Sequence, residues 1–519
     1  MNIAPIDWLI LGVSFVFFLA LAIYLNSLCK SVADYLVSGR KVRLWLGMGA
    51  GIAGEVGLIS IVGMCEQGYL KGFSFVLIGI FSMVIMVPLF GIFGFGIQRF
   101  RATKAMSVSQ YVEMRYSRGL RILTGILNSS AGVLQMGIFP IVGAQFIRVL
   151  INAPEKTVWF GAQVPVAWII MGLLLACTIL FSLLGGYLAL VVSNFLHMII
   201  TMAAVFAVLF HMVGQIGLQT LWSKLEAGRG LAGLNPFAEQ GDAYGMVWFL
   251  WLMTMSILLQ FSYGPYLQKY ASMDKPRTVS LSFLIGSIFG NGRTFVIMAW
   301  GVGALAVFGT ATAAGYPANT WPSVVTPLYL SQIVPPVMMG LLLTGLLWAD
   351  ISNTDQYLLS WSTSIVNDCI CPFLKNPPNP KLHIRMVRIT IVVLCVLFFF
   401  FGMLYEPTTS LWDYLWLCAN IIGGTGVIVV FGMYWRGAKT AGAYAAVAAS
   451  VMLPLADLIA RRIWLAQEWT FPIKPEVTGL GTYAIAISLL ILVSLCSSEQ
   501  SKFWDLGKIV REMNAKGTA

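Results

Sequence analysis

The stretch Gly47-Met-Gly-Ala-Gly-Ile-Ala-Gly-Glu55-Val-Gly-Leu-Ile-Ser60 places one carboxylate among five glycines in a segment that is otherwise apolar. A charged side chain at the centre of a bilayer costs about 2.5–3.5 kcal/mol on insertion scales. Glycine has the greatest backbone freedom of all residues and destabilises helices, so this segment can open beside Glu55. A charge at an opening in a membrane helix is typical of ion and solute sites. The alternative is an ion pair that only holds a helix bundle together, which would not require five glycines.

The composition predicts an integral membrane protein. Of the 519 residues, 58% are hydrophobic and 10% are charged, whereas soluble domains carry about 25% charged residues. The apolar runs are about 20 residues or longer, which predicts an all-α protein with membrane-spanning helices and excludes barrel strands. We predict about thirteen spans, near residues 5–28, 45–68, 73–97, 120–150, 164–184, 187–214, 245–267, 279–308, 336–365, 386–404, 410–433, 440–460 and 478–497.

The distribution of basic residues predicts the orientation. Of the 32 Lys and Arg residues, 23 fall in the loops on the side of the C-terminus, 8 fall on the other side, and Arg293 lies within a span. Cytoplasmic loops are the basic ones, so we predict an N-terminus outside and a C-terminus inside the cell membrane. The same loops account for the net charge of +11 without a nucleic-acid partner.

Two interrupted spans predict an internal symmetry. Span seven contains Ser262-Tyr-Gly-Pro-Tyr266, a Gly-Pro break, five spans after the glycine-rich break of span two. Spans an odd number apart cross in opposite directions, which is the pattern of an inverted repeat with a site between the breaks. The alternative is that Gly and Pro are simply frequent in membrane helices. The predicted units are an extra N-terminal helix and loop (1–44), a first repeat (45–214), an outer loop (215–244), a second repeat (245–433), and two extra helices with a cytoplasmic tail (434–519).

Span nine carries a group of oxygen-bearing side chains, at Ser352, Asn353, Asp355 and Gln356. Hard oxygen ligands without cysteine or imidazole suit a small alkali cation better than a transition metal. Backbone carbonyls freed at the break of span two could complete such a site. The alternative is hydrogen bonding between helices.

Three other ionisable groups lie deep in spans: Asp350, His197 and Arg293. Arg293 could neutralise Glu55 or Asp350, or grip an anionic solute in two places. Snorkelling of Arg293 to the interface is the alternative. For His197 we expect a packed, hydrogen-bonded ring, with a proton relay as the alternative.

Enzymatic and ATP-driven functions are not predicted, because the sequence has no phosphate-binding loop. Cys369 and Cys371 could form half of a metal site, but no second pair completes it, and we interpret them as structural. No resident cofactor is therefore expected.

An ordered set of short motifs resembles the sodium:solute symporter family. They are Asp34-Tyr-Leu-Val-Ser-Gly-Arg40, Gly68-Tyr69, Ser107-Val-Ser-Gln-Tyr-Val-Glu-Met-Arg-Tyr116, Gly185-Gly-Tyr-Leu188, Tyr266-Leu-Gln-Lys269 and Tyr434-Trp-Arg-Gly-Ala-Lys439. The likeness covers roughly residues 30–450.

The resemblance implies an inverted five-plus-five helix fold with alternating access, in which sodium entry drives uptake of a small organic solute or an anion. The sodium site it implies takes carbonyls from span two and oxygens from span nine, which by position are Ala53, Val56, Ala349, Ser352 and Asn353. Two residues depart from the family pattern. Asn353 stands in place of Ser or Thr, and Asn194 stands where many members have Asp, which puts a second sodium ion in doubt.

The implied solute site lies between the broken helices, and its candidate residues are Glu55, Ser60, Ser82, Ser256, Gln260 and Arg293. The expected partners are a small-molecule solute, sodium and the lipid bilayer, with no obligate protein partner. A proton-coupled or uncoupled carrier on the same fold is one alternative. Another is a membrane sensor, although a sensor is expected to carry a signalling domain and the chain ends about 20 residues after its last span.

Overall fold

The computed structural model describes residues 3–27, 32–55, 57–159, 161–238, 244–309, 322–376, 378–405, 411–466, 473–503 and 505–516. The side chains of residues 26, 32–34, 50, 52–55, 291, 411–417, 462, 465–466 and 515–516 lie outside this description as well. Nearly all of the described chain is helical, as the apolar runs predict. One antiparallel hairpin, β1 (Lys156–Trp159) with β2 (Ala162–Pro165), is the exception among these residues.

The first part of the chain contains the predicted interruption of span two. An apolar helix, α1, is followed by a short α2, and the glycine-rich stretch then divides into two helices with a break after Glu55. A π-helical turn over Val87–Ile92 continues the next helix. The bounds are α1 Pro5–Asn26, α2 Val32–Val37, α3 Leu44–Glu55, α4 Leu58–Lys71 and α5 Ser74–Met86.

The next five helices complete the first predicted repeat: α6 Ile97–Thr103, α7 Val108–Arg115, α8 Arg118–Gly137, α9 Phe139–Leu150 and α10 Val166–Ile216. Serine caps explain two helix starts, because Ser107 and Ser117 each accept a hydrogen bond from a backbone N–H three residues later. Helix α10 has 51 residues, about 76 Å at 1.5 Å per residue, more than twice the hydrocarbon thickness of a bilayer. Gly186, at φ 63°, bends it into two arms that match the two spans predicted here.

The second predicted repeat also begins with a broken helix pair. Helix α11, Leu218–Arg229, precedes it in the predicted outer loop. The next helices are α12 Gly245–Leu259, α13 Gly264–Ser272, α14 Pro276–Phe308, α15 Pro322–Ile333 and α16 Met338–Ser364. Helices α12 and α13 are bent by 47° at the Gly-Pro break. Pro265 stands in the first turn of α13, where its missing N–H leaves no helical hydrogen bond unmade.

Five helices complete the described chain: α17 Pro380–Leu404, α18 Leu411–Tyr434, α19 Thr440–Ala466, α20 Pro475–Cys496 and α21 Leu506–Lys516. Among the described residues, eight helices are long and apolar enough to cross a bilayer, or nine if the bent α12–α13 pair counts as one span. The predicted number of thirteen spans stays a prediction. Part of the difference is that the two arms of α10, which meet at the non-helical backbone of Gly186, count as one of the eight helices.

Helix α16 forms the centre of the bundle. Every residue from Trp348 to Ser364 is buried, polar side chains included. Its neighbours include both arms of α10 as well as α1, α13 and α17. A helix that is buried all round is expected only in the middle of a large bundle. The polar side chains of α16 therefore face other helices and not lipid.

Carboxylates fix both ends of this central helix. At its start, Asp7 on α1 accepts hydrogen bonds through Oδ1 from the backbone N–H groups of Val337 (2.7 Å) and Gly340 (3.0 Å). Asp7 is 1% exposed and satisfies N–H groups that the first turn of a helix leaves without partners.

At the other end, α16 continues into a π-helical turn, Ile365–Ile370. Asp368 in this turn accepts hydrogen bonds from Ser107 Oγ (2.9 Å) and Arg121 Nε (3.1 Å). This residue lies beyond the predicted span, and burial raises the pKa of its carboxyl to about 6 although the Arg121 guanidinium acts to lower it. The C-terminal end of α16 is thus tied to α7 and α8.

Candidate functional site

The break of span two opens directly onto α16. Gly57 has extended backbone (φ −81°, ψ 164°) and its carbonyl accepts the first hydrogen bonds of α4, from Ser60 N (3.0 Å) and Ile61 N (3.1 Å). A Cβ atom on Gly57 would lie 1.7 Å from Nδ2 of Asn353 and 2.5 Å from its Cγ. The Asn353 side chain therefore occupies space that only a glycine leaves free.

Asn353 presents an acceptor with no partner at this break. The side chain is 2% exposed, and its Oδ1 atom accepts no hydrogen bond from the described residues. A buried amide oxygen without a donor costs about 1–3 kcal/mol. A cation is one group that can satisfy such an oxygen, because carbonyl-type oxygens are ligands of hard cations.

Ser352 and Ala349 lie on the adjoining face of α16. The hydroxyl of Ser352 donates to Oδ1 of Asn194 on α10, at 2.5 Å. Asn194 is fully buried and its Nδ2 has no acceptor among the described residues. The structure thus brings Asn353 and the break of span two together and places Ser352 and Ala349 within the same turn of α16. Val56 and the side chain of Ala53, the other predicted ligands, lie outside the described residues.

The candidate solute residues are spread over several helices. The side chain of Glu55 lies outside the described part of the chain. Ser82 on α5 donates to the carbonyl of Ile78 in its own helix, at 2.7 Å, and Gln260 at the end of α12 accepts a hydrogen bond from the Tyr270 hydroxyl. Ser60 and Ser256 are half-buried. These residues stay predictions as one site.

Arg293 is buried in the middle of α14, with 6% of its surface exposed. Helix α14 runs alongside both halves of span two, since a Cβ on Gly47 would meet Ser282 Oγ at 3.0 Å and one on Gly68 would meet the Met298 carbonyl oxygen at 2.2 Å. Arg293 lies between these two levels along the helix. This burial does not fit a snorkelling side chain, so the predicted roles in solute binding or charge balance remain.

The contacts of His197 are those of a packed aromatic ring and not those of a proton relay. Its ring stacks on Trp348 (centroids 4.9 Å apart, 18° between planes) and meets Phe18 edge-on at 4.5 Å. Neither ring nitrogen has a hydrogen-bond partner among the described residues. The expected hydrogen bond is absent there, and so is a chain of donors and acceptors that could carry a proton.

Lys269 is a buried basic residue beside the first break. The predicted orientation counts it among the 23 basic residues in loops on the side of the C-terminus, but it lies on α13 and is only 8% exposed. A Cβ atom on Gly51 would be 2.3 Å from Nζ of Lys269. The ammonium group therefore packs on the glycine face of α3, and this contact joins the broken spans two and seven. The glycine pattern around residue 51 was visible, but nothing in the sequence paired it with position 269.

The break of span seven packs on the same central helix. A Cβ atom on Gly264 would lie 2.8 Å from Ser360 Oγ and 3.2 Å from the Trp361 ring. Tyr263 meets Tyr357 and Trp361 edge-on, with centroids 5.7 and 5.6 Å apart. A cavity with about 10 Å³ of free space, enough for about one water molecule, adjoins this break and is lined by Met106, Ser107, Val108, Asn128, Ser262, Gly264, Gln268, Ser360, Trp361, Thr363 and Ser364.

The described side chains at the first break offer neutral oxygen atoms. The described residues contain no group of three or more His, Cys, Asp or Glu side chains that could hold a metal ion. Neutral oxygens at Asn353, Ser352 and Asn194 dominate instead, which disfavours a transition metal.

Comparison with known proteins identifies the architecture. The model of the sodium:solute symporter family matches residues 35–449. The osmoregulated proline transporter OpuE of Bacillus subtilis (strain 168) is 21% identical over 300 residues, 54% of this chain, and the match spans 55% of that transporter's length.

Solved structures show the same fold. A Na⁺-coupled sialic acid symporter in a substrate-bound, outward-open state aligns over 96% of this chain and all of its own, with a TM-score of 0.80 and 14% identity. MhsT in complex with L-phenylalanine aligns over 88% of this chain and 99% of its own, with a TM-score of 0.50 and 14% identity.

Proposed function

The chain belongs to the sodium:solute symporter family, and we propose that it is a secondary transporter that couples sodium entry to uptake of a small organic solute or anion. It acts by alternating access, with no enzymatic step. In this proposal sodium is transported together with the solute.

One observation carries the proposal most directly. The break of span two places Gly57 against Asn353, and the Asn353 amide oxygen has no donor among the described residues. Together with the Ser352 hydroxyl, this oxygen offers a hard ligand set at a place where helical carbonyls are also released. We assign the sodium ion to this place, with Ala53, Val56, Ala349, Ser352 and Asn353 as its ligands.

The proposed topology follows the sequence prediction. Thirteen spans cross the cell membrane with the N-terminus outside, and two five-span halves cross in opposite senses. In support of this, α3 and α4 of the first broken pair and α13 of the second all pack on α16. Alternating access then consists of movement of the broken pairs against the central helix.

The solute site is assigned between the broken helices, with Glu55, Ser60, Ser82, Ser256, Gln260 and Arg293 as candidate contacts. Arg293, buried on α14, favours a solute with a carboxylate. The related proteins handle proline and sialic acid, both of which carry a carboxylate. These two compounds are the first solutes to test.

The test uses purified full-length protein in liposomes and measures uptake of labelled proline, sialic acid and a panel of amino and organic acids. An inward sodium gradient should drive accumulation, and an equal potassium gradient should not. Accumulation under a proton gradient alone would contradict sodium coupling and favour the proton-coupled alternative, in which Arg293 pairs with Glu55.

A further inference from the structure

Asp350 is a buried carboxylate without a partner. It lies in the middle of α16 and is 5% exposed. Its carboxylate makes no hydrogen bond or ion pair with any residue that the structure describes. Burial of an ionised carboxylate is costly unless an opposite charge or hydrogen-bond donors compensate it, and the side chains that the structure describes supply neither.

The carboxylate lies against α9, beside a residue that begins α4. A Cβ atom on Gly143 of α9 would lie 3.7 Å from Oδ1 of Asp350 and 2.7 Å from Cδ2 of Leu58. Oδ1 of Asp350 and Cδ2 of Leu58 therefore both lie next to Gly143. Leu58 is the first residue of α4 and follows Gly57 directly. The N-terminal end of a helix carries a partial positive charge, which favours a carboxylate nearby.

The register of α16 places Asp350 beside the proposed sodium ligands. Residues three apart on a helix are neighbours on one face, so Asp350 lies one turn from Asn353. Asn353 lies against Gly57 at the break of span two, and Asp350 lies against Gly143 of α9, next to the side chain of Leu58. The partnerless amide oxygen and the partnerless carboxylate are thus neighbours on the same face.

The other ionisable groups around this part of α16 have different contacts. Asp355 accepts a hydrogen bond from Ser182 of α10, and His197 stacks on Trp348. Cys177 on α10 is close enough to Asp350 to interact with it electrostatically. Arg293 and Lys269 form no ion pair with Asp350, because Asp350 has none within the described ranges.

We propose that the Asp350 carboxylate balances the charge of the sodium ion bound at the break of span two and sets the affinity of that site. This inference rests on the proposed sodium coupling. It adds a charged residue to a ligand set that otherwise consists of neutral oxygens.

The test compares Asp350→Asn with wild type in proteoliposomes and in detergent. We expect the sodium concentration for half-maximal uptake to rise at least about tenfold, because the substitution removes a charge from a site of low dielectric constant. The sodium-induced rise in melting temperature, which reports binding without transport, should shrink in parallel. Asp350→Glu, which keeps the charge, should raise the half-maximal concentration less than Asp350→Asn.

The control is Asp457→Asn. Asp457 pairs with Arg461 on its own helix, α19, at 2.8 Å, so its loss removes a carboxylate far from α16 and should leave the sodium dependence unchanged. If Asp350→Asn does not fold, Asp350→Ser provides a second neutral variant for the same two measurements.

The outcomes separate this inference from the proposed function. Sodium-driven uptake with unchanged sodium half-saturation in the neutral variant would overturn the role of Asp350 and leave the symporter in place. If the neutral variant loses uptake, the melting shift decides: a full sodium-induced shift overturns the inference, and a lost shift supports it. Absence of sodium-driven uptake in wild type would overturn the proposed function itself.

Discussion

The two breaks of this molecule abut the same helix and differ in chemistry. At the first break, Gly57 meets Asn353, whose amide oxygen has no donor among the described residues. At the second break, Gly264 meets the hydroxyl of Ser360 and the ring of Trp361, with Tyr263 packed edge-on beside them. The first break thus leaves a hard acceptor open, and the second presents aromatic faces and hydroxyl groups. This difference favours an ion at the first break and an organic solute or a hinge at the second.

The local sequences explain this difference. The first break relies on glycines alone, and the backbone there is extended at Gly57. The second contains Pro265, whose ring fixes φ and starts α13 in a defined direction. A break made only of glycine leaves carbonyls free to turn toward a ligand, whereas a proline break sets the angle between two helical halves.

The largest expected effect is that of Gly57→Ala. The new Cβ atom would lie 1.7 Å from Asn353 Nδ2, so the amide must leave its position or the break must deform. We expect sodium-driven uptake in proteoliposomes to fall to the background level. Gly12→Ala, where a Cβ atom meets nothing within 4 Å, is the matched control. Near-normal uptake by Gly57→Ala would remove the first break from the ion site.

Arg293→Met tests whether Arg293 binds the carboxylate of an anionic solute. If Arg293 grips a solute carboxylate, uptake of anionic solutes should fall about 100-fold, since a bidentate charged hydrogen bond is lost. Arg293→Lys keeps the charge but not the fork-shaped geometry and should be intermediate. Uptake of an anionic solute that survives Arg293→Met would exclude the carboxylate clamp and leave charge balance as the role of Arg293.

Ser352→Ala should act on sodium alone. It removes a proposed ligand and the donor to Asn194 Oδ1, and we expect the sodium concentration for half-maximal uptake to rise about tenfold. Ser362→Ala is a control on the same helix, because the Ser362 hydroxyl only donates to the Leu359 carbonyl, at 3.2 Å. An unchanged sodium dependence in Ser352→Ala would take this residue out of the site.

The smallest effect is expected for Gly264→Ala. Its Cβ atom would meet Ser360 Oγ at 2.8 Å, and a hydroxyl can rotate away. The solute concentration for half-maximal uptake should rise about threefold, which is less than 1 kcal/mol, with the sodium dependence unchanged. Adding Ser360→Ala should relieve the contact and restore the wild-type value. A shift in sodium dependence instead would show that the two breaks are not chemically separate.

Features that depend on neighbouring residues could be predicted from the sequence. The glycine-rich break, the Gly-Pro break and the oxygen-bearing run of α16 are all local patterns. Apolar periodicity cannot show how the two arms of α10 meet at Gly186, because the angle between two adjacent spans does not depend on their composition.

Contacts between distant residues could not be predicted in this way. The packing of Lys269 on Gly51 and the bonds from Asp7 to the start of α16 join positions with no common pattern. Lys269 was placed in a loop because basic residues usually lie there, and only its buried position on α13 corrects this. The partnerless state of Asp350 likewise depends on what the neighbouring helices fail to offer.

The attachment of α16 at both ends has a practical consequence for measuring motion. Asp7 holds its first turn, and Asp368 ties its far end to α7 and α8. Because both ends of α16 are held, spin labels placed near them should keep fixed positions relative to each other. Distances from these labels to labels on α3 and α13 can then be measured. Distances that change together with sodium would show the two broken helices moving as one body, and distances that change separately would show two independent gates.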